Sequence, residues 1–487
     1  ILNIIKYEII MSSKKMKNSK QKSRSRQTSS KKSRKKSKSS LSQKSKLLSI
    51  EKVKITEYNT DRYMSGNRLD VQPKIWELPN RKTYYNWIFD VFKDYKVGNK
   101  LKPGKGSVEL FRIQRLVKNF FQEENPNRGI LLYHGLGLGK SGAAISIAEA
   151  IPSRDVVFLS KASLETNFIF EIKKFGGDYM RTSNYWVFST CKSKYERDLA
   201  QSYKIPIATI DKNEGCFFID FKTSKKPNYL KMTPVYRDKL DKQISATINK
   251  RFTFLHLDDT RLLTKINEGD LDNKVVIVDE VHNLINSMTS ETVTGAFFYK
   301  FMMNVKDSKF VFLSGTPLIN KVFEASKMYN ILKGYIPTLI YRIITTPFSD
   351  INWSEIKTQL LENFHIDQIV IDKTRKTIKV TKLPDNYINI KKDNLGKNNL
   401  LKQKSKSSSK SNNSKSKNKI NNRWDGIIYS PEQNATFEEF RDQIDKTVKS
   451  LSKSQKFNLK FNFENNTALP DIELEFEKMF YNTEFNK

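Results

Sequence analysis

Residues 134–141 read His-Gly-Leu-Gly-Leu-Gly-Lys-Ser, between an apolar run and the helix-like SGAAISIAEA. A glycine-rich turn closing on lysine and a hydroxyl, between strand and helix, has the form of a phosphate-binding loop. Gly135, Gly137 and Gly139 let successive N–H groups curl toward phosphate oxygens, with Leu136 and Leu138 between them, and the helix N-terminus adds a positive dipole end. Lys140 brings a charge to the terminal phosphates and Ser141 a hydroxyl for Mg2+. His134 stands where the strict pattern has glycine. The competing reading is an unrelated glycine-rich turn.

A second site follows the apolar run VVIV, as Asp279-Glu280-Val281-His282. Two acids at the end of a buried strand are costly unless they face a cation or a substrate. Asp279 suits Mg2+ coordination through water, and Glu280 suits the base that orients an attacking water. An acidic strand cap is the bland alternative. A third run, FVFL, ends in Ser314-Gly315-Thr316-Pro317, which is either a coupling turn or an ordinary strand-to-helix connection.

The elements that must position these residues are short apolar runs alternating with helical periods between about 105 and 335. The runs are Ile130–Tyr133, Val156–Leu159, 186–188, Phe252–Leu257, Val275–Val278 and 310–313. Continuous apolar runs bounded by turn residues read as buried parallel strands. Strand–helix alternation predicts an α/β fold with helices on both faces of the sheet, whose ligands bind at the carboxyl ends of the strands. Further on, 365–383 predicts a hairpin. A helix is expected over 436–450, a strand over 457–463 and a last helix over 471–480.

The 487 residues allow two to four domains, and 38% hydrophobic content excludes uniform disorder. Net charge is +35, but residues 11–49 hold fifteen Lys/Arg without an acid, and 391–423 is net +10. Most of the excess therefore lies in Ser/Lys-rich segments expected to be disordered. These are solubilising tails or nonspecific nucleic-acid arms, and argue only weakly for a polyanionic partner. Cys191 and Cys216 are expected to be buried, inert thiols that suit a reducing compartment, and with His134, His256, His282 and His365 they form no zinc spacing. His256 and His365 have no evident role. No apolar run reaches membrane-span length. Met11 reads as the natural start, with 1–10 upstream translation. The aromatics Trp76, Tyr84, Tyr85, Trp87, Phe89 and Phe92 read as packing rather than as base-stacking platforms.

The three sites, in this order, resemble motifs I, II and III of superfamily 2 helicases. DEVH has the DExH form, and SGTPLIN is similar to the Gly-Thr-Pro version of Swi/Snf-type translocases. Gln114 in LFRIQRLVKNFF matches a Q-like residue that would read the adenine edge. VVFLSKASLETNFIFEIKKF resembles motif Ia, placing Ser160, Ser163 and Asn167 against a nucleic-acid backbone. The nearest likeness is to helicases of large DNA viruses, relatives of the poxvirus early-transcription-factor ATPase and nucleoside triphosphatase I, in which histidine commonly occupies the His134 position. The resemblance covers about 105–340, and more loosely 341–390 and 468–485.

The resemblance implies a RecA-like P-loop domain over 105–340 with ATP and Mg2+ as cofactors. The ATP site would take in Gln114 and the loop from His134 through Gly135 and Gly137 to Ser141. Lys140 and Ser141 would hold phosphate and metal, Asp279 the metal, Glu280 the water, and His282, Ser314, Gly315 and Thr316 would couple hydrolysis to strand movement. Around it the expectation is a basic tail (1–49), a lead-in (50–104), the start of a second domain or a remnant (341–390), a basic linker (391–423) and an α+β remnant (424–487). After residue 340 there is no Q-x-x-G-R-x-x-R-like motif to supply arginine fingers. The chain thus reads as the front half of a DNA- or RNA-dependent motor. Its other half could be a separate polypeptide, its partners viral transcription machinery, and its location the virion and host cytoplasm, with no membrane. The alternative is a noncatalytic nucleic-acid-binding subunit. A nucleotide-switch protein fits less well, since it has no use for motifs Ia and III.

Overall fold

The computed structural model describes residues 49–63, 69–96, 110–133, 135, 139–223, 225–345, 351–390 and 424–481. The basic segments 1–48 and 391–423 lie outside those residues, as do His134, Leu136, Gly137 and Leu138.

Five strands form a parallel sheet: β1 (Gly129–Tyr133), β2 (Val156–Ser160), β5 (Phe252–His256), β6 (Val275–Val278) and β7 (Lys309–Ser314). Their order is β1-β7-β6-β2-β5. Alternate residues serve opposite faces, as the two-residue period of a strand requires. Val156, Phe158, Val275, Ile277, Val311 and Leu313 enter one core, with the Lys140–Glu149, Ala162–Phe175 and Pro234–Arg251 helices. Val157, Leu159, Val276, Val278, Phe310 and Phe312 enter the other, under the His282–Thr289, Val293–Asn304 and Glu324–Lys333 helices. This two-faced burial is why the strands read as unbroken apolar runs.

One expected member of the sheet is not in it. The run at 186–188 forms β3 (Trp186–Ser189), which pairs antiparallel with β4 (Cys216–Ile219) in a separate two-stranded sheet. Both strands are buried throughout, so their sequence carries the signature of a central parallel strand without being one.

A second large sheet has the order β13-β8-β10-β9 and is antiparallel throughout. It joins β8 (Ile336–Thr345), the hairpin β9 (Ile366–Asp372) and β10 (Thr377–Lys382), and β13 (Asn458–Asn466). Sequence on either side of the 391–423 segment thus builds one sheet, with Asn466 of β13 opposite Ile336 of β8. The short strands β11 (Tyr387–Asn389) and β12 (Ile427–Tyr429) also pair across that segment, antiparallel to each other. Leu339, Tyr341 and Ile343 pack with Ile356, Phe440, Ile444, Val448 and Leu451 from the Trp353–Leu360 and Phe437–Ser454 helices. The longer helix starts at a capping box, with Glu439 N–H donating to Thr436 Oγ1 (3.2 Å) and Thr436 N–H donating to Glu439 Oε2 (2.8 Å).

Two ties bind these parts together. Trp76, 1% exposed, packs with Leu78, Leu383, Tyr387 and Ile427, so the lead-in reaches the second half of the chain. Beyond β13, Leu469 exchanges backbone–side-chain hydrogen bonds with buried Asn330 (2.8 and 3.0 Å), and Phe476 packs on Phe323. Among the described residues no helix is long and apolar enough to cross a membrane.

Candidate functional site

Because the five strands are parallel, their carboxyl ends share one edge of the sheet. Tyr133 is level with Ser314, Ser160 with His256, and Leu159 with Val278. The loop after β1, the acids after β6 and the Ser-Gly-Thr turn after β7 therefore meet at one edge.

The Lys140–Glu149 helix begins at Gly139, which takes a left-handed φ of +75° and offers no side-chain cap. The left-handed backbone favours glycine, and a Cβ there would come within 2.5 Å of Gln114 Nε2 and displace that amide. Gln114 is 1% exposed and braces this turn: its Nε2 donates to Gly139 O (3.0 Å) and its Oε1 accepts from Phe111 N–H (2.9 Å). Both ends of the amide are engaged with backbone, each through one of its two hydrogen-bonding positions, since the amide has two N–H donors and two acceptor lone pairs. Gly135 stands at the other end of the loop. It is exposed just beyond the end of β1, while the buried contacts that shape the turn gather at Gly139. The expected curl of N–H groups is therefore described at its two ends, Gly135 and Gly139, and its middle lies outside the described residues.

Lys140 Nζ is buried without a hydrogen-bond partner, and the Glu280 carboxylate is 3.7 Å away. Glu280 holds φ +46°, which costs a non-glycine residue about 1–3 kcal/mol and marks a position constrained by its surroundings. Its N–H donates to Asp279 Oδ1 (3.0 Å), while Asp279 N–H donates to Leu159 O of the neighbouring strand (3.0 Å). Burial first, and then the Glu280 charge, hold the Asp279 carboxyl above its ordinary value.

His282 Nδ1 lies 3.3 Å from Glu280 Oε2 and 3.0 Å from Ser314 Oγ. Ser314 is fully buried, and its Oγ also accepts from Thr316 N–H (3.0 Å). Lys140, Glu280, His282 and Ser314 thus form a continuous polar chain across three strand tips, with Thr316 exposed at its end.

A triphosphate fits this arrangement. It would meet a buried cation without a hydrogen-bond partner and an uncapped ten-residue helix N-terminus, with Ser141 in the helix's first turn next to Lys140.

The motif Ia residues divide. Ser163 and Asn167 are exposed on the Ala162–Phe175 helix one turn apart, whereas Ser160 is 1% exposed and its hydroxyl donates to Lys161 O. Of the three, Ser160 does not reach the surface.

Other residues at this edge had no expected role. A cavity of about 380 Å³ is lined by Lys161, Ser163, Asp258, Asp279, Glu280 and Asn283, among others. Asp258 Oδ1 accepts from Ala162 N–H (3.0 Å), which ties the tip of β5 to the helix start. His256 Nε2 lies 2.6 Å from Glu165 Oε2. Glu324, fully buried, accepts from Ile319 N–H (2.7 Å) and Asn320 N–H (3.1 Å) and so braces the turn after Thr316. Asp258 follows a predicted strand directly and was findable from that position. Glu324 resembles any first-turn acid, and only its burial sets it apart.

No family model matches the chain. Curated relatives do. The protein named "Putative ATP-dependent RNA helicase R563" of Acanthamoeba polyphaga mimivirus is 25% identical over 262 residues, covering 51% of this chain and 38% of that protein. The termination factor NPH-I homolog of African swine fever virus (isolate Tick/Malawi/Lil 20-1/1983) is 24% identical, covering 51% of this chain and 30% of its own length. The protein named "Putative helicase 009L" of Frog virus 3 (isolate Goorha) is 22% identical, covering 46% of this chain and 20% of its own length. The chain therefore spans between a fifth and two fifths of these relatives. Among solved structures, the SWI2/SNF2 ATPase core of Sulfolobus solfataricus with double-stranded DNA matches at 17% identity and TM-score 0.22, over 42% of this chain and 31% of that one. Over about half its length, the chain is similar to helicases of large DNA viruses.

Proposed function

We propose that this chain carries the ATP-binding half of a DExH-type, nucleic-acid-dependent ATPase that translocates on DNA or RNA, in a viral, transcription-linked setting. The observation that carries the reading is the meeting of Lys140 Nζ and the Glu280 carboxylate, 3.7 Å apart, although 139 residues separate their loops. In this reading Lys140 and the helix N-terminus hold the phosphates, Gly135 opens the loop around them, and Ser141 and Asp279 hold Mg2+. Bound Mg2+–ATP supplies the phosphoryl group that passes to water. Glu280 orients that water and accepts its proton. His282 carries the state of Glu280 to Ser314, and from there to Thr316 at the surface. Ser163, Asn167 and Thr316 meet the nucleic-acid backbone, with contacts that weaken as salt rises. Gln114 braces the turn and reads the adenine edge with the remaining positions of its amide.

Arginine fingers belong to a second RecA-like domain, either in a longer form of this chain or on a partner. Residence in the virion and host cytoplasm is part of the same reading.

The test measures ATP hydrolysis with and without single-stranded DNA or RNA in three proteins. Wild type should turn over and respond to nucleic acid. Lys140→Ala should lose about a hundredfold or more, and Glu280→Gln about 10²–10⁴-fold while still binding nucleotide. Equal silence in all three, with nucleotide still bound, would instead favour a noncatalytic nucleic-acid-binding subunit.

A further inference from the structure

The sulfurs of Cys191 and Cys216 lie 2.8 Å apart, and both residues are fully buried. Neither belongs to the strand-tip site. Their approach comes from backbone design. Cys216 begins β4 opposite Ser189, the last residue of β3, and Cys191 follows two residues later in a left-handed turn at φ +48°. Gly215 makes the approach possible: at φ +145°, a Cβ there would come 2.2 Å from Ser189 O. The Cys191 turn is held independently of the sulfurs. Its N–H donates to Ser189 Oγ (3.2 Å), and its carbonyl accepts from Arg197 Nε (3.1 Å). Ser189 Oγ in turn donates to Glu196 Oε1 (2.7 Å).

The two thiols are unlike. The hydrogen bond from Cys216 lowers the Cys191 thiol below its ordinary value, whereas burial pushes Cys216 well up. A cavity of about 410 Å³ is lined by Thr190, Lys192 and Gly215, the chain neighbours of the two cysteines, and by Arg197 and Glu214, while the cysteines themselves stay buried behind it.

We propose that Cys191 and Cys216 are a thiol–disulfide exchange pair, which low-molecular-weight disulfides convert to an intramolecular disulfide, reaching Cys191 from this cavity when the turn carrying Thr190 and Lys192 opens. The Cys191 thiolate attacks one sulfur of the small disulfide, forming a mixed disulfide and expelling one thiolate. The Cys216 thiolate then attacks Cys191 Sγ, forming the protein disulfide and expelling the second. The protein pair loses two electrons and two protons, and the small disulfide becomes two thiols. The remaining movement is small, since the sulfurs close from 2.8 Å to about 2.05 Å. The proposal is independent of the function assigned to the strand tips.

The experiment incubates the full chain with oxidised glutathione, unfolds it in alkylating reagent without reductant, and measures intact mass and tryptic peptides. The expected result is loss of two hydrogens, no alkylation of either cysteine, and one peptide pair joined through Cys191 and Cys216. Cys216→Ser should hold glutathione on Cys191 as a stable adduct, while Cys191→Ser should gain none. Far-ultraviolet circular dichroism checks that both variants are folded. Full alkylation of both cysteines in oxidised wild type would overturn the proposal, as would a glutathione adduct persisting there.

Discussion

His282 Nδ1 sits 3.0 Å from Ser314 Oγ, and Glu280 Oε2 is 3.3 Å from the same nitrogen. One ring atom thus stands between the acid after β6 and the turn after β7. If this contact couples hydrolysis to nucleic acid, His282→Ala should lower the stimulation of ATP turnover by nucleic acid by up to roughly tenfold, the value of one hydrogen bond. Unstimulated turnover should change less. Ser314→Ala should do the same, and the double variant should be no worse than either single one. Losses that multiply in the double variant would show that the two residues act separately.

Asp279 carries a buried charge that costs the fold. Its carboxyl titrates above the ordinary value because burial, and then Glu280, disfavour the anion. A raised carboxyl favours the native state below the unfolded value, and that contribution is lost as pH rises through the folded one. At neutral pH, Asp279→Asn should therefore raise the midpoint of thermal unfolding while weakening Mg2+-dependent nucleotide binding. The stability gap between variant and wild type should narrow as pH falls below the folded value. A variant less stable than wild type at pH 7 would contradict this.

Glu324 braces the turn after Thr316 with two backbone bonds, to Ile319 and Asn320. Glu324→Ala leaves both N–H groups to find water and should destabilise by about 1–3 kcal/mol. Gln at 324 keeps an acceptor and should cost less. Amide hydrogen exchange at Ile319 and Asn320 should quicken in the alanine variant. Unchanged exchange there would mean that the turn holds itself.

How far these relationships could be read from the letters depends on their range. The strands at 156–159, 275–278 and 310–313 were legible because burial on both faces leaves an unbroken apolar run, and those at 130–133 and 252–257, half-buried at the sheet's two edges, because their runs are still mostly apolar. The same feature misplaced β3, since an antiparallel pair buried on both faces leaves the same run. β4 passed unread beside it. No strand was expected between 335 and the hairpin at 365–383, yet β8 is ten residues long. Its partner β13 lies more than a hundred residues on, beyond any periodicity within a window. The positions of Lys140, Asp279, Glu280, His282 and Ser314 were legible because each follows a strand. The inward turn of Ser160 and the engagement of both ends of the Gln114 amide were not, since a residue's letter does not say where its polar atoms point. Nor does the letter separate exposed Gly135 from Gly139, whose glycine is favoured by a left-handed backbone against Gln114.

Lys309 lies at the start of β7, at the opposite end of that strand from Ser314. Its side-chain nitrogen donates to Asn125 O and to Asn127 O (3.0 Å), above the Phe121 ring. Burial, and then the nearby Arg154 charge, push it down to about 7. Between that value and the ordinary 10.5, the native chain holds Lys309 neutral while the unfolded chain holds it charged, so unfolding takes up a proton. Stability from this group is full above the unfolded value and is lost as pH falls toward the folded one. Lys309→Met removes the titration and leaves every other group in place. The difference in unfolding free energy between wild type and variant should therefore rise from pH 7.5 to pH 9.5, by at most about 1.4 kcal/mol per pH unit. Urea denaturation at the two pH values measures it. A difference that stays flat would mean that the buried amine keeps its proton, held by the two carbonyls against the cost of burial.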